Sequence, residues 1–216
     1  MNGVLFDWDG VVIDSSAQHE RSWELLSAEI GKPLPDGHFK EGFGKKNQII
    51  IPGILHWAED PAEIATLSDR KEEIYRDLVR QSGVSILPGA IELLEALQAQ
   101  GIPAAVASST PRSNLDAIFA ATGLDRFFKA VVCGDDVTNG KPAPDVFLLA
   151  ASKLGLRPDE CLVIEDAHAG IEAALAAGMR VLAVATTNQL EDLHRATTAV
   201  ESLAGISPAS LRALFA

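Results

Sequence analysis

The chain has no apolar stretch near the ~20 residues that a membrane-spanning helix requires, and the interior of every apolar run is short. No membrane partner is therefore expected. The first apolar run is interrupted by Asp7 and Asp9 and follows no basic leader, so it does not read as a signal peptide, and a cytoplasmic protein is expected. Basic residues are few, 18 against 30 acidic, giving a net charge of −12. Phosphate backbones are bound by basic surfaces, so nucleic acid is set aside as a partner. A small anion needs only a few local cations and is not set aside. Cysteine is scarce. Cys133 and Cys161 each sit in an apolar run with no histidine near. That excludes a zinc spacing and favours buried structural thiols over a disulfide. There is no internal repeat and no low-complexity segment.

With 47% hydrophobic and 22% charged residues over 216 positions, the composition is that of a globular protein with one core, or a core and a small accessory domain. Five short apolar runs predict strands at about 3–7, 102–108, 130–133, 161–165 and 180–185. Several are apolar nearly throughout, as strands covered on both faces must be. Helical patterns lie between the later ones. One runs from Pro88 to Gly101. A second opens at Thr110-Pro111, with Thr110 as its expected N-cap, and closes at Gly123. Two more span Pro144 to Leu154 and Ala169 to Ala177, followed by Gly155 and Gly178. Strand–helix alternation predicts an α/β fold with a parallel sheet.

Residues 15–81 break that rhythm. Helical patterns at about 16–30 and 61–81 flank the turn-rich Gly31-Lys32-Pro33-Leu34-Pro35-Asp36-Gly37, and Pro52-Gly53 interrupts an apolar stretch. The block is too long for a crossover. It is expected to be an inserted helical domain, leaving 1–14 and 82–216 as the parallel-sheet core.

Asp7 and Asp9 flank Trp8 at the end of the first run, just before Gly10. Such a tripeptide also occurs in turns, because Asp bonds its own backbone and Gly tolerates positive φ. The polar residues after the other strands favour chemistry. Ser108, Ser109 and Thr110 follow the second strand, Lys141 the third, and Glu165 and Asp166 the fourth. Ligands of parallel α/β sheets bind beyond the carboxyl ends of the strands. Two close acids can divide the work of a nucleophile, Asp7, and a proton carrier, Asp9. Hydroxyls at a helix start suit phosphate oxygens, Lys141 adds a point positive charge, and carboxylates on two strand ends suit Mg²⁺. Phosphoryl transfer is the implied chemistry.

These residues resemble four motifs of the haloacid dehalogenase-like superfamily, in its β-phosphoglucomutase-like branch. The first is Asp7-Trp8-Asp9-Gly10-Val11-Val12, the second Ser108, and the third Gly140-Lys141-Pro142-Ala143-Pro144-Asp145. Ile164-Glu165-Asp166-Ala167-His168-Ala169-Gly170-Ile171 is the fourth. The resemblance covers nearly the whole chain. It implies a Rossmann-like core, a helical cap over the active site and an aspartyl-phosphate intermediate. It also implies Mg²⁺ held by the Asp7 side chain, the Asp9 carbonyl and Asp166, with Glu165 a ligand directly or through water. Ala167 stands where many relatives have Ser.

Further residues carry two readings each. His19 on a helix would ordinarily be structural, but it falls where sugar-phosphate mutases carry a histidine. Lys45 and Lys46, in the loop Gly42-Phe43-Gly44-Lys45-Lys46-Asn47, are either a solvated pair or a holder of a substrate anion. Arg70-Lys71 is either a solvated face or, at Lys71, a match to the lysine of mutase-like sequences. Ser109 is a substrate-binding candidate beside Ser108. His168 is expected to be structural or to support the residues of the site from behind, Trp8 to pack, and Trp23 and Trp57 to fill the core of the insert.

The expected function is a Mg²⁺-dependent phosphatase acting as a monomer on a small phosphorylated metabolite, a sugar phosphate above all. A β-phosphoglucomutase-type mutase is the alternative. Lys45 stands where the sugar mutases have arginine, and lysine cannot make a bidentate phosphate contact. A dehalogenase is disfavoured by Asp9. A receiver-type signalling domain is disfavoured by the size of the insert, and a non-catalytic relative by the survival of all four motifs.

Overall fold

A computed structural model describes residues 1–42 and 45–215. In chain order its elements are β1 (Gly3–Phe6), β2 (Ile13–Asp14), α1 (Ser16–Ile30), α2 (His38–Gly42), α3 (Asn47–Gly53), α4 (Pro61–Ser82), β3 (Ser85–Ile86), α5 (Ala90–Ala99), β4 (Ala104–Ala107), α6 (Arg112–Thr122), β5 (Phe128–Val132), α7 (Asp145–Leu154), β6 (Cys161–Glu165), α8 (His168–Ala176), β7 (Arg180–Val184), β8 (Thr198–Val200) and α9 (Pro208–Ala213). The chain divides into two compact units. One comprises Met1–Asp14 with Ser85–Ala216, the other Ser15–Val84. The second ends three residues beyond the expected 81.

The larger unit is an α/β structure around a six-stranded sheet in the order β5-β4-β1-β6-β7-β8, parallel at every pairing. β1 is central, with Phe6 opposite Val106 on one side and Ile164 on the other. All of Val4, Leu5 and Phe6 are fully buried. Covering on both faces is why the run carries no alternation. The chain moves outward from β1 through β4 and β5, then returns to β6 on β1's other side. The turns after β1 and β6 therefore diverge, and a ligand crevice forms at such a switch of direction. β7 and β6 pack with α7 and α8 into one apolar cluster that includes Cys161, and Cys133 is also buried. Both thiols are free.

Several features of this unit were not expected. The sheet gains β8, whose three residues Thr-Ala-Val are too few to show a pattern. Ile13–Asp14 and Ser85–Ile86 form a two-stranded antiparallel ladder. A pair this short carries no periodicity and exists only once the fold has aligned it. The α6 cap also differs. Pro111, not Thr110, occupies the N-cap position, and the first helical amide, that of Arg112, donates to Asp135 Oδ2 at 2.8 Å.

The helical unit follows the expected α1 and α4. Asp60 caps α4 by accepting from the Ala62 amide at 3.0 Å, and Pro61 fills the first helical position, where no amide is missed. The turn-rich middle holds two short helices as well. α3 runs through Pro52, because apolar Ile50, Ile51 and Ile54 are drawn onto a cluster with Trp23, Leu26 and Trp57. Tertiary burial overrides the local signal there. Trp23 and Trp57 meet edge to face at 5.9 Å between ring centres, as core residues.

Candidate active site

Four turns of the larger unit bring their polar residues to one edge of the sheet. Asp7 follows β1 and is 8% exposed; Glu165 ends β6 and Asp166 follows it, at 1% and 4%. Ligand oxygens of these three carboxylates lie within 4.8 Å of one another. The turn 140–143, closed by the Ala143 amide on the Gly140 carbonyl, presents Lys141 to them. Its Nζ donates to Asp7 Oδ1 and to Glu165 Oε1, each at 2.6 Å, and lies 4.8 Å from the Phe147 ring centre.

Three buried carboxylates thus share one buried ammonium. Burial pushes the Asp7 carboxyl up to about 7; Lys141 pulls it down, and Glu165 and Asp9 push it up again. Asp166 is raised well above the ordinary range, by burial first and then by Glu165 and Asp7. Burial opposes the charge on Lys141, but Asp7 and Glu165 outweigh it and hold the ammonium above its usual value. Such a set fits a hard divalent cation. Oxygen ligands suit it, and its charge allows all three acids to ionise together.

The two acids of the β6 turn are held differently. Glu165 Oε2 accepts the amides of Asp166 at 2.8 Å and Ala167 at 2.9 Å, while Oε1 takes Lys141. Gly170 makes room for it, since a Cβ there would fall 1.6 Å from Glu165 Oε1. Asp166 Oδ2 accepts from the Thr187 hydroxyl. Glu165 is thereby the better anchored and Asp166 the better placed to bind something else.

Asp9 and Ser108 are tied together through Thr110. The Thr110 hydroxyl donates to Asp9 Oδ2 at 2.7 Å, and its amide donates to Ser108 Oγ at 3.1 Å. Thr110 was expected as a helix cap; its hydroxyl instead turns to the β1 acid. Ser108 is 2% exposed, and Ser109 is exposed. Trp8 packs edge to face on Phe119 and Phe128, 5.1 and 5.8 Å between ring centres. Thr186, Thr187 and Asn188 went unread in the sequence. They follow β7 directly, so the rule applied to the four earlier strands would have found them.

The remaining candidates belong to the helical unit. His19 Nδ1 and Lys71 Nζ lie 2.6 Å apart, and His19 stacks on Tyr75 with 4.0 Å between ring centres. Lys71 is 2% exposed and bonds Glu72 at 2.8 Å. Burial first, and then Lys71, push the His19 imidazole down to about 3. The ring is neutral, so Nδ1 accepts from the ammonium. The solvated-face reading of Lys71 is overturned, because the face that carries it packs against Trp23 and Tyr75. Lys45 and Lys46 are exposed. Phe43 and Gly44 of their loop lie outside the described residues. Arg70 is surface-paired with Glu29 and Glu73.

A family model described as haloacid dehalogenase-like hydrolase matches residues 1–178. The chain is 34% identical over 98% of its length to the chloroplastic 5-amino-6-(5-phospho-D-ribitylamino)uracil phosphatase of Arabidopsis thaliana, and spans 57% of that protein. It is 35% identical to hexitol phosphatase A of Escherichia coli, with 95% of this chain and 93% of that one covered. The crystal structure of a family IA, variant 3 HAD hydrolase from Entamoeba histolytica superposes with a TM-score of 0.89 at 30% identity, covering 99% of each chain. The chain belongs to the haloacid dehalogenase-like hydrolases.

Proposed function

We propose that this hydrolase is a Mg²⁺-dependent phosphatase of small phosphorylated metabolites, with sugar or sugar-alcohol phosphates as the favoured class. The observation that carries the reading is Lys141 bridging Asp7 and Glu165 at 2.6 Å each beside Asp166. Similarity to a hexitol phosphatase supports the substrate class.

Asp7 attacks phosphorus through a carboxylate oxygen as the phosphorus–ester oxygen bond breaks. Asp9 gives its proton to the departing oxygen. In the second half, Asp9 takes a proton from water, whose oxygen attacks the aspartyl-phosphate and releases inorganic phosphate and Asp7. Lys141 offsets the negative charge of Asp7 and of the phosphoryl oxygens. Ser108 and Ser109, beside the α6 start, bind phosphoryl oxygens. Mg²⁺ would be held by Asp7, the Asp9 carbonyl and Asp166, with Glu165 in support, and supplies charge neutralisation at the phosphoryl group. We assign substrate choice to the helical unit, a cap in this reading, through His19, Lys45 and Lys71.

Release of phosphate from a panel of hexose, hexitol and pentose monophosphates, with and without Mg²⁺, tests the reading. Turnover that survives exhaustive chelation would refute the metal requirement. Conversion of β-glucose 1-phosphate to glucose 6-phosphate, primed with the 1,6-bisphosphate and faster than phosphate release, would make the protein a mutase instead.

A further inference from the structure

Three consecutive side chains after β7 grip both turns that carry the acids. Thr186 Oγ1 donates to the Gly10 carbonyl in the turn after β1. Thr187 Oγ1 donates to Asp166 Oδ2, and Asn188 Nδ2 to the Asp166 carbonyl at 2.9 Å. The fit leaves no slack. Gly10 has φ +80°, and a Cβ on it would fall 2.1 Å from Asp166 Oδ2 and 3.0 Å from Thr187 Oγ1. All of these contacts lie within the larger unit.

We propose that Thr187 is a positioning residue that fixes the Asp166 carboxylate for Mg²⁺, with Thr186 and Asn188 holding its loop in place. The inference rests on reading Asp166 as a magnesium ligand. A terminal carboxylate turns easily about its last torsion, whose wells are broad. A hydroxyl on one oxygen removes that freedom without changing the charge. Mg²⁺ demands near-octahedral oxygen geometry, so a carboxylate held in one orientation binds it better than a rotating one. Glu165 has no need of such help, because two backbone amides and Lys141 already hold it.

The test is titration calorimetry of Mg²⁺ into the full chain after chelation, for wild type, Thr187→Val, Thr187→Ser and Asp166→Ala. Valine keeps the shape of threonine and loses the hydroxyl. Its Kd for Mg²⁺ should weaken about tenfold or more, the usual effect of removing a group that orients a metal ligand, while serine should stay within about threefold of wild type. Turnover of 4-nitrophenyl phosphate by Thr187→Val should recover as Mg²⁺ is raised, which a distorted fold would not allow. Thr187→Ala replaces valine if that variant does not fold. Unchanged Mg²⁺ binding on loss of the hydroxyl, or serine as weak as valine, would overturn the inference. If Asp166→Ala itself binds Mg²⁺ normally, the reading of Asp166 as a ligand fails first, and the two failures are told apart.

Discussion

Among the described residues, each unit holds a lysine side chain buried against an acid, and the two are set up for different ends. Lys141 faces two carboxylates, Asp7 and Glu165, with Asp166 beside them. Lys71 bonds Glu72 and lies against a neutral imidazole, His19. Around Lys71 the bonded acid is itself held. Glu72 also takes Asn47 Nδ2 at 2.8 Å, and the aromatic faces of Trp23 and Tyr75 sit 5.4 and 5.3 Å from the ammonium. Around Lys141 the acids outnumber the cation, and burial keeps protons on Asp7 and Asp166 to higher pH than usual. A buried excess of charge raises free energy unless protons or a cationic ligand relieve it. The excess of acids marks Lys141 as part of the reacting site; Lys71 is a positioned group, held by its partners as the substrate contact proposed for it requires.

Breaking the first cluster should therefore abolish chemistry. Asp7→Asn is nearly isosteric and should retain below about 1% of wild-type turnover with the fold intact by circular dichroism, because covalent catalysis has no substitute route of similar barrier. Lys141→Met should fall nearly as far. Lys71→Met should leave turnover of 4-nitrophenyl phosphate within about threefold and instead lower unfolding stability by about 1–3 kcal/mol, the usual penalty for a buried partner left unpaired. A loss of turnover at Lys71 equal to that at Lys141 would collapse the distinction.

Thr110 should have a smaller and more selective effect. Its hydroxyl donates to Asp9, the proposed general acid, and a general acid matters only when the leaving oxygen is basic. We expect Thr110→Val to lower kcat/KM about tenfold or more for an alkyl phosphate, within the range of acid–base contributions. For 4-nitrophenyl phosphate it should change little. Equal losses on the two esters would mean that Thr110 acts on packing alone.

The smallest expected effect is in the pH dependence of stability, where the two regions oppose each other. In the metal-free fold Asp7 titrates at about 7 rather than its ordinary 3.8. Between those values the folded state keeps a proton that the unfolded chain has lost, so stability falls as pH rises through that window. His19 titrates at about 3 rather than 6.5. The unfolded chain then takes a proton that the fold refuses, so stability falls as pH drops through that window. Urea unfolding of the chelated protein at several pH values from 4 to 6.5 checks both signs. Asp7→Asn should make stability climb more steeply with pH than in wild type, and His19→Gln should make it climb less.

Much of the larger unit was legible in its sequence for a physical reason. A strand buried on both faces must be apolar throughout, so the runs ending at Phe6, Ala107, Glu165 and Val184 announce themselves, while edge strand β5, with Lys129 exposed, shows only through Ala130-Val131-Val132. The strand-end rule then carries Asp7, Lys141, Glu165 and Asp166 toward one edge from their order along the chain alone. β8 and the β2–β3 ladder escaped because two or three residues hold no period. α3 escaped because Pro52 and Gly53 argue locally against a helix that packing on Trp23 and Trp57 enforces.

Composition and order along the chain determined that this is an α/β protein with a helical insertion and an acidic, phosphate-handling edge. Those properties depend on residue type and short-range spacing, which sequence records directly. Tertiary structure alone decided which polar atoms meet. Thr110 could cap a helix or hold Asp9, Lys71 could face solvent or be buried against His19 and Glu72, and Thr187 could lie anywhere after β7. A hydrogen bond is made or lost over a few tenths of an ångström. Only the packed sheet and the packed helices place residues 9 and 110, 19 and 71, and 166 and 187 within that distance.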